Sequence, residues 1–130
     1  MTKINEDLEI KNTGQKLKDV QFKGKTLWTN PNPNNSFSSQ TVQIDDFNYD
    51  YITVYWSYQT NTNHKYMSTP IYKGTYCELF FPYIYDGTWY LRRRQVNYET
   101  ANKVLFGNAS LNNSHVIPLS IIGYKKDYYN

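Results

Sequence analysis

Apolar and polar residues alternate along most of the chain after Thr26, and this period of two predicts β-strands. The clearest case is YITVYWSYQ at residues 51–59. There Ile52, Val54 and Trp56 share one face of a strand, and the residues between them share the other. This alternation is typical of a strand with one face against a core. The pattern after residue 26 gives no convincing helix and therefore predicts an all-β fold.

Turn residues divide this part of the chain into about eight strands. The dipeptide Asp86-Gly87 predicts a hairpin between the two longest of them, because a two-residue turn with positive φ favours it. Pro70 predicts an edge strand or a bulge, since proline cannot donate to a ladder. We therefore predict an antiparallel, jelly-roll-like β-sandwich. Its predicted strands are Thr26–Asn30, Ser36–Ile44, Tyr51–Gln59, Lys65–Tyr72, Tyr76–Tyr85, Thr88–Tyr98, Lys103–Phe106 and Val116–Lys125.

The first 25 residues are different in kind, being charged, sparsely apolar and free of Tyr and Trp. They hold too few apolar side chains for a core, and a chain of 130 residues suits one domain. The sequence thus predicts a short N-terminal arm at 1–25 and a sandwich domain at 26–130. The arm has three interpretations: a disordered leader, a segment that docks on a neighbouring chain, or the stub of a longer fibre.

The stretch LWTNPNPNNSFSSQTVQI at residues 27–44 places a large aromatic beside a polar, proline-containing run. Each proline limits its own φ and biases the preceding Asn towards extended geometry. We therefore expect two strands joined by a rigid turn. Trp28 should pack where the first strand joins the sandwich, and Trp56 should lie in the core.

Aromatic residues make up 18% of the chain and include 14 Tyr, and several strands carry them on both faces. In residues 51–59, for example, Tyr51 and Tyr55 lie opposite Trp56 and Tyr58. One face builds the core, and the other would expose an unusually large aromatic surface in a monomer. The pattern predicts that this second face either binds a ligand or packs against copies of the chain.

Charge and cysteine content limit the other partners. The net charge of +3 comes from scattered Lys and Arg, so we expect no nucleic-acid partner. The single Cys77 leaves no disulfide framework and no cysteine metal site, and it is interpreted as a small buried hydrophobe. Neither a signal peptide nor an apolar run of roughly 18 residues is present. We therefore expect no membrane insertion, no metal and no cofactor.

Catalytic patterns are weak. His64 and His115 lie in Asn-rich loops without a nucleophile motif, and such residues are usually solvated. A glycosidase would need two carboxylates roughly 5 to 10 Å apart, for which Glu78, Asp86 and Glu99 are the candidates. Strand and turn positions already explain these side chains, so an enzyme is not expected.

The acidic segment DDFNYD at 45–50 offers oxygen ligands for calcium, but it lacks the glycine and terminal glutamate of an EF-hand loop. A plain turn explains it better.

The segment WYLRRRQVNY at 89–98 is the strongest candidate for binding. Arg92 and Arg94 share one face of the predicted strand, and Arg93 lies on the other. They could stack with aromatics to grip a sugar acid or phosphate, or they could form a solvated edge strand kept charged against aggregation. Exposed aromatics beside amide-rich loops suit carbohydrate recognition, because a sugar's C–H face lies flat on a ring. The candidate glycan-binding residues are Tyr55, Trp89, Tyr90, Arg92 and Arg94.

Three segments resemble a known domain: TLWTNPNPNNSFSSQTVQI, then YDYITVYW, then VIPLSIIGYK near the end. Together they look like the C-terminal domain of virion structural proteins of tailed bacteriophages, which occurs in tail, baseplate and head-fibre components. The resemblance covers residues 26–125, with specific ends and a looser middle.

This resemblance implies a homotrimeric β-sandwich at the tip of a virion fibre that attaches to a host-surface polysaccharide. The protein would be made in the host cytoplasm and would join other virion proteins through residues 1–25. The chain is short for a fibre protein and has no long shaft, so two alternatives stay open. One is a purely structural capsid or tail decoration protein, and the other is a glycan-degrading enzyme.

Overall fold

Strands form nearly all of the regular structure, and no helix occurs in the residues that the computed structural model describes, which are 9–10, 15–16, 22–45, 49–59 and 64–126. The segments rich in Tyr, Trp, Val, Ile and Thr favour this outcome because such side chains suit a pleated, half-buried surface. The strands are β1 (Glu9–Ile10), β2 (Gln15–Lys16), β3 (Phe22–Thr29), β4 (Gln40–Gln43), β5 (Tyr51–Gln59), β6 (His64–Tyr72), β7 (Thr75–Tyr85), β8 (Thr88–Thr100), β9 (Lys103–Ala109) and β10 (Val116–Lys126).

Eight of these strands form two antiparallel sheets of four. The first sheet has the order β3-β10-β5-β6 and the second has the order β4-β9-β8-β7. This confirms the predicted eight-stranded antiparallel β-sandwich. A separate two-stranded sheet joins β1 to β2. Residues 1–8, 11–14 and 17–21 of the predicted arm lie outside the described ranges.

The chain winds in a jelly-roll-like way. The first two strands of the sandwich, β3 and β4, run antiparallel to the last two, β10 and β9, one pair in each sheet. The hairpin β5–β6 stays in the first sheet, and the hairpin β7–β8 stays in the second. The last two strands of the chain therefore pair with the first two strands of the sandwich, one pair in each sheet.

Inward side chains of both sheets form the core, as the alternation predicts. On β5 the residues Ile52, Val54, Trp56 and Tyr58 are at most 1% exposed. From the second sheet the core receives Leu79, Val96, Tyr98, Val104 and Phe106. Burial of such side chains supplies the main favourable free energy of folding.

The stretch at 27–44 has the structural role expected from its prolines. Trp28 packs on the rings of Phe37 and Phe106, with ring centroids 5.9 Å away in each case. The Asn30 side chain is buried, donates to the carbonyl of Pro118 at 2.8 Å and accepts from the backbone N–H of Asn32 at 2.8 Å. This turn therefore ties β3 to β10.

Most strand bounds differ from the sequence prediction by a few residues, and the two largest shifts are at the starts of β3 and β4. β3 begins at Phe22, so the strand crosses the predicted boundary between arm and domain. β4 spans Gln40–Gln43 only, whereas the prediction began at Ser36. The reason is that the Phe37 N–H donates to the carbonyl of Asn113, in a loop, instead of to a neighbouring strand.

The predicted hairpin at Asp86-Gly87 is confirmed, with φ of 51° and 74° at the two turn residues. Its strands pair without interruption from Thr75 and Tyr98 to Tyr85 and Thr88. The neighbouring strand β9 ends at Ala109, opposite Arg94. The hairpin therefore projects beyond β9. Pro70 lies on β6, an edge strand, as predicted.

Candidate functional site

The five predicted ligand residues occupy three different places. Trp89, Tyr90 and Arg92 lie on the projecting part of the β7–β8 hairpin. Tyr55 lies on the outward face of the first sheet, and Arg94 lies in the interior. The sequence therefore selected residues that the fold does not bring together into one site.

Arg94 is a structural residue and leaves the set of candidate ligands. Its side chain is 0% exposed, and every polar contact goes to a backbone carbonyl. Nε donates to Val116 at 2.8 Å, Nη1 to Gly107 at 2.6 Å, and Nη2 to Phe37 at 2.7 Å and more weakly to Asn113 at 3.4 Å. Burial lowers the pKa of Arg94 to about 10, so the guanidinium stays protonated at neutral pH.

Arg92 faces the same side of β8 as Arg94, as the alternation predicts, but its surroundings are different. It is half-buried, and its guanidinium lies over the ring of Tyr83, with 5.4 Å between Cζ and the ring centroid. Nε and Nη1 are shielded from solvent and have no hydrogen-bond partner among the described residues. Two nitrogen atoms of this guanidinium are therefore left without an acceptor.

Stacked aromatic rings surround Arg92 at this end of the sandwich. Tyr83 and Tyr90 form a cross-strand pair with centroids 5.3 Å apart. Tyr58, which comes from β5, stacks on Phe81 at 4.2 Å and contacts Tyr83 at 5.9 Å. The Tyr58 side chain is 1% exposed, and its hydroxyl lies close to that of Tyr83 but makes no hydrogen bond of good geometry in the described structure. Burial is the main cause that raises the pKa of Tyr58, and the nearby Tyr83 adds to it.

His115 completes this group from the loop before β10. Its ring centroid is 6.3 Å from that of Tyr58, and its Nδ1 is shielded without a partner among the described residues. Burial and then the charge of Arg92 lower the pKa of His115, so the ring is neutral at pH 7. We call Tyr58, Tyr83, Tyr90, Arg92 and His115 the open-end cluster.

The outward face of the same hairpin carries an apolar surface. Cross-strand partners Ile84 and Trp89, then Pro82 and Leu91, follow one another along it, and Phe80 continues the row. Trp89 is 70% exposed. We call these five residues the hairpin strip. A continuous apolar strip that is exposed to solvent is typical of an interaction surface.

The first sheet presents a second aromatic surface, on its outward face. One register row crosses all four strands and holds Gly24, Tyr124, Tyr51 and Tyr72. Tyr124 stacks on Tyr51 with centroids 5.0 Å apart. Its ring also covers Gly24, where an added Cβ would come within 2.8 Å of a ring carbon. Glycine at this position therefore lets the ring lie flat on the sheet.

Beside this row lies an open depression of about 590 Å³. We call it the tyrosine groove, and its lining residues are Gly24, Thr26, Tyr55, Ser120, Ile122 and Tyr124. The hydroxyls of Tyr55 and Tyr124 are 3.2 Å apart and hydrogen-bonded. This hydrogen bond, with burial as a smaller cause, raises the pKa of Tyr124 to about 12. The groove thus combines aromatic faces with neutral hydroxyls.

Residues considered for catalysis have other environments. Glu78 pairs with Arg93 at 3.7 Å on the outward face of the hairpin, and Asp86 occupies the hairpin turn. Burial raises the pKa of the Cys77 thiol, which disfavours a reactive thiolate. The His64 ring contacts Tyr66 at 4.7 Å.

The acidic turn at 45–50 is described only in part. Asp45 accepts hydrogen bonds from Lys25 and Tyr49. Residues 46–48 lie outside the described ranges, so the calcium and turn interpretations of this segment are not compared. Over the described residues, no group of three or more His, Cys, Asp or Glu side chains could hold a metal ion, and no helix could cross a membrane.

Sequence analysis did not identify three of the residues that matter here. Tyr124 lies near the chain end, and only its register with Tyr51 and Gly24 reveals its role. Tyr58 shares a strand face with Trp56 in the sequence pattern, but the pattern does not show whether its hydroxyl has a partner. His115 was interpreted as a solvated loop residue, and no local signal places it beside Arg92.

No protein-family model and no curated protein sequence matches this chain.

Proposed function

We propose that the protein is a bacteriophage virion structural protein of the fibre or tail-tip type that attaches to a host-surface glycan through a homotrimeric β-sandwich. The observation that carries this proposal is the tyrosine groove. The resemblance of residues 26–125 to phage virion domains supports the setting. In this setting residues 1–25 join other virion proteins, and the mature protein resides in the virion.

The tyrosine groove has the chemistry that a saccharide needs. The C–H face of a pyranose packs on an aromatic ring, and its hydroxyls exchange hydrogen bonds with neighbouring polar groups. Tyr55 and Tyr124 supply the rings, and the hydroxyls of Thr26 and Ser120 lie in the same lining. With the pKa of Tyr124 near 12, its phenol remains a neutral donor and acceptor under all physiological conditions.

The hairpin strip supports the trimer. Phe80, Leu91 and Trp89 are 53%, 44% and 70% exposed in the single chain, and contact between copies would remove them from water. Three grooves on one particle would then act together. Linked weak sites can raise apparent affinity by roughly 10²–10⁴-fold without any new contact.

A binding experiment tests the glycan role. Purified protein is applied to an array of bacterial cell-wall polysaccharides and to host cells, with Tyr55→Ala as the test variant and Tyr76→Ala as the control. Tyr76 is 64% exposed but lies on β7, in the other sheet. We expect Tyr55→Ala to weaken binding by about tenfold or more, because loss of a central aromatic contact commonly costs 1–2 kcal/mol or more. Tyr76→Ala should bind like the unmodified protein.

A purely structural virion protein is the second candidate, and the hairpin strip favours it. In that case the array and the host cells would show no binding above background, although the chain forms trimers and enters virions. Light scattering decides the oligomeric part separately. A stable monomer at micromolar concentration would contradict both the trimer and the avidity argument.

A further inference from the structure

We propose that the open-end cluster is a binding site for an oxyanion, a carboxylate or phosphate group, held by Arg92 with Tyr58 and His115. Its identification with the acidic group of a saccharide rests on the proposed function, whereas the oxyanion site rests on its own geometry. The cluster shares no residue with the tyrosine groove.

Several polar atoms of the open-end cluster have no hydrogen-bond partner among the described residues. Buried polar groups in proteins nearly always have hydrogen-bond partners, so a group without one requires an explanation. In one small region, Arg92 Nε and Nη1, the Tyr58 hydroxyl and His115 Nδ1 all have none among the described residues. Arg94, two residues along the same strand, shows that this interior satisfies a guanidinium where it is purely structural.

The open-end cluster carries the positive charge of Arg92. Arg92 is cationic and has no acidic partner within the described structure, whereas its neighbour Arg93 pairs with Glu78. A half-buried cation without a counter-ion is unfavourable, and an anion would relieve this. The planar guanidinium presents one fork formed by Nε and Nη2 and another formed by Nη1 and Nη2, so each shielded donor of Arg92 belongs to an edge that matches the two oxygens of a carboxylate or phosphate. The Tyr58 hydroxyl can also donate, and so can the neutral His115 ring in the tautomer that carries its proton on Nδ1.

The aromatic surroundings favour an anion carried on a sugar ring. Tyr83 stacks against Arg92 and against Tyr90, and Tyr90 is 37% exposed at the rim. The ring of an acidic saccharide could therefore lie on Tyr90 while its carboxylate or phosphate reaches Arg92. Arg92, Tyr83 and His115 are each half-buried, so the cluster lies at the surface at the end of the sandwich. Its donor atoms are shielded in this conformation, and an anion reaches them when the covering side chains move aside.

Calorimetric titration of the full chain tests the site, with glucuronate, inorganic phosphate and uncharged glucose as probes. We expect glucuronate to bind at least about tenfold more tightly than glucose, a difference of about 1.4 kcal/mol. Arg92→Gln should remove this difference. Tyr58→Phe should weaken glucuronate binding by about threefold to tenfold while keeping the ring in the core. Arg93→Gln, which changes the adjacent but outward-facing arginine, is the matched control and should bind as the unmodified chain does.

The probes separate the two sources of the anion. Preference for glucuronate over phosphate would assign a sugar acid, and the reverse preference would assign a phosphate-bearing ligand. Either result supports the oxyanion site. Binding of neither anion, or binding that Arg92→Gln leaves unchanged, would overturn it. So would loss of trimers in Arg92→Gln without anion binding, because the partner of Arg92 would then be a carboxylate of another copy. Failure of Tyr55→Ala to alter glycan binding would count against the tyrosine groove only.

Discussion

Arg92 and Arg94 lie two residues apart on one face of β8, yet they occupy opposite kinds of environment. Around Arg94, β9, β10 and the loop before β4 each bring a backbone carbonyl to the guanidinium. Around Arg92, beyond the end of β9, the neighbours are aromatic rings and two more polar groups without partners. The backbone that surrounds a position therefore decides whether an inward arginine completes the fold or awaits a ligand.

The difference has an energetic meaning. A buried guanidinium is tolerated only when its donors are satisfied, and each hydrogen bond from a charged group contributes roughly 1.5–3 kcal/mol. Arg94 meets that condition and joins three segments that are far apart in sequence. Arg92 does not meet it within the described chain, so its retention at an inward position is better explained by binding than by stability.

The largest expected effect is at Arg94. Arg94→Met leaves the carbonyls of Val116, Gly107 and Phe37 without their donor, and we expect the free energy of unfolding to fall by about 3–5 kcal/mol. Arg92→Met removes an unsatisfied cation and should change stability by less than about 1 kcal/mol in either direction. Urea unfolding followed by circular dichroism measures both.

Arg93→Met, at the exposed neighbour, is the control for this pair and should be nearly silent. If Arg94→Met does not fold, Arg94→Lys provides a weaker test, because a lysine keeps the charge but cannot reach all of these carbonyls at once. Equal losses for Arg92→Met and Arg94→Met would contradict the distinction between the two ends.

A smaller effect is expected at Asn30, in the turn that follows β3. Asn30→Ala deletes the buried amide that donates to Pro118, and we expect a loss of about 1–3 kcal/mol because that carbonyl remains buried and unpaired. Asn34→Ala, an exposed position in the same turn, is the matched control. Thermal or urea unfolding compares them, and a similar loss in both would contradict the role of the buried Asn30 amide in holding the turn.

The sequence predicted the sandwich because apolar and polar residues alternate over much of its strands, with clear turn residues between them. The inward direction of Trp56 and the shared face of Arg92 and Arg94 follow from that period of two alone. The fate of each arginine could not be predicted, because it depends on carbonyls that come from residues 37, 107 and 116. The tyrosine groove could not be predicted either, since the strand register that brings Tyr124 beside Tyr55 is a long-range property.

Tyr124 and Tyr58 allow the same comparison, because the Tyr124 hydroxyl has a hydrogen-bond partner and the Tyr58 hydroxyl makes no hydrogen bond of good geometry. Tyr124 shares a hydrogen bond with Tyr55, and its pKa is raised to about 12. A tyrosine whose folded pKa exceeds its unfolded pKa contributes stability below pH 10, and this contribution is lost as the pH rises towards 12. We expect the unmodified protein to lose at most about 1 kcal/mol more than Tyr124→Phe between pH 8 and pH 11, since the phenol is partly screened by solvent.

Urea unfolding at the two pH values measures this difference, and comparison of the two chains cancels the titration of the groups that do not interact with Tyr124. Tyr76→Phe, which removes an exposed hydroxyl from the other sheet, should follow the unmodified protein. An identical pH dependence in Tyr124→Phe would show that the hydrogen bond to Tyr55 contributes nothing to folding.

The smallest stability effect is expected at Tyr58, and its sign is the informative part. The hydroxyl is buried and makes no hydrogen bond of good geometry in the described structure, so Tyr58→Phe removes a poorly met desolvation cost and keeps the ring that packs on Phe81. The ligand-free variant should be as stable as the unmodified protein or more stable, by up to about 1 kcal/mol. Urea unfolding without added anions measures this, and adding glucuronate should stabilise the unmodified chain more than the variant. A clear loss of stability without anions would mean that the hydroxyl already has a partner within the fold, and the open end would then resemble the closed one.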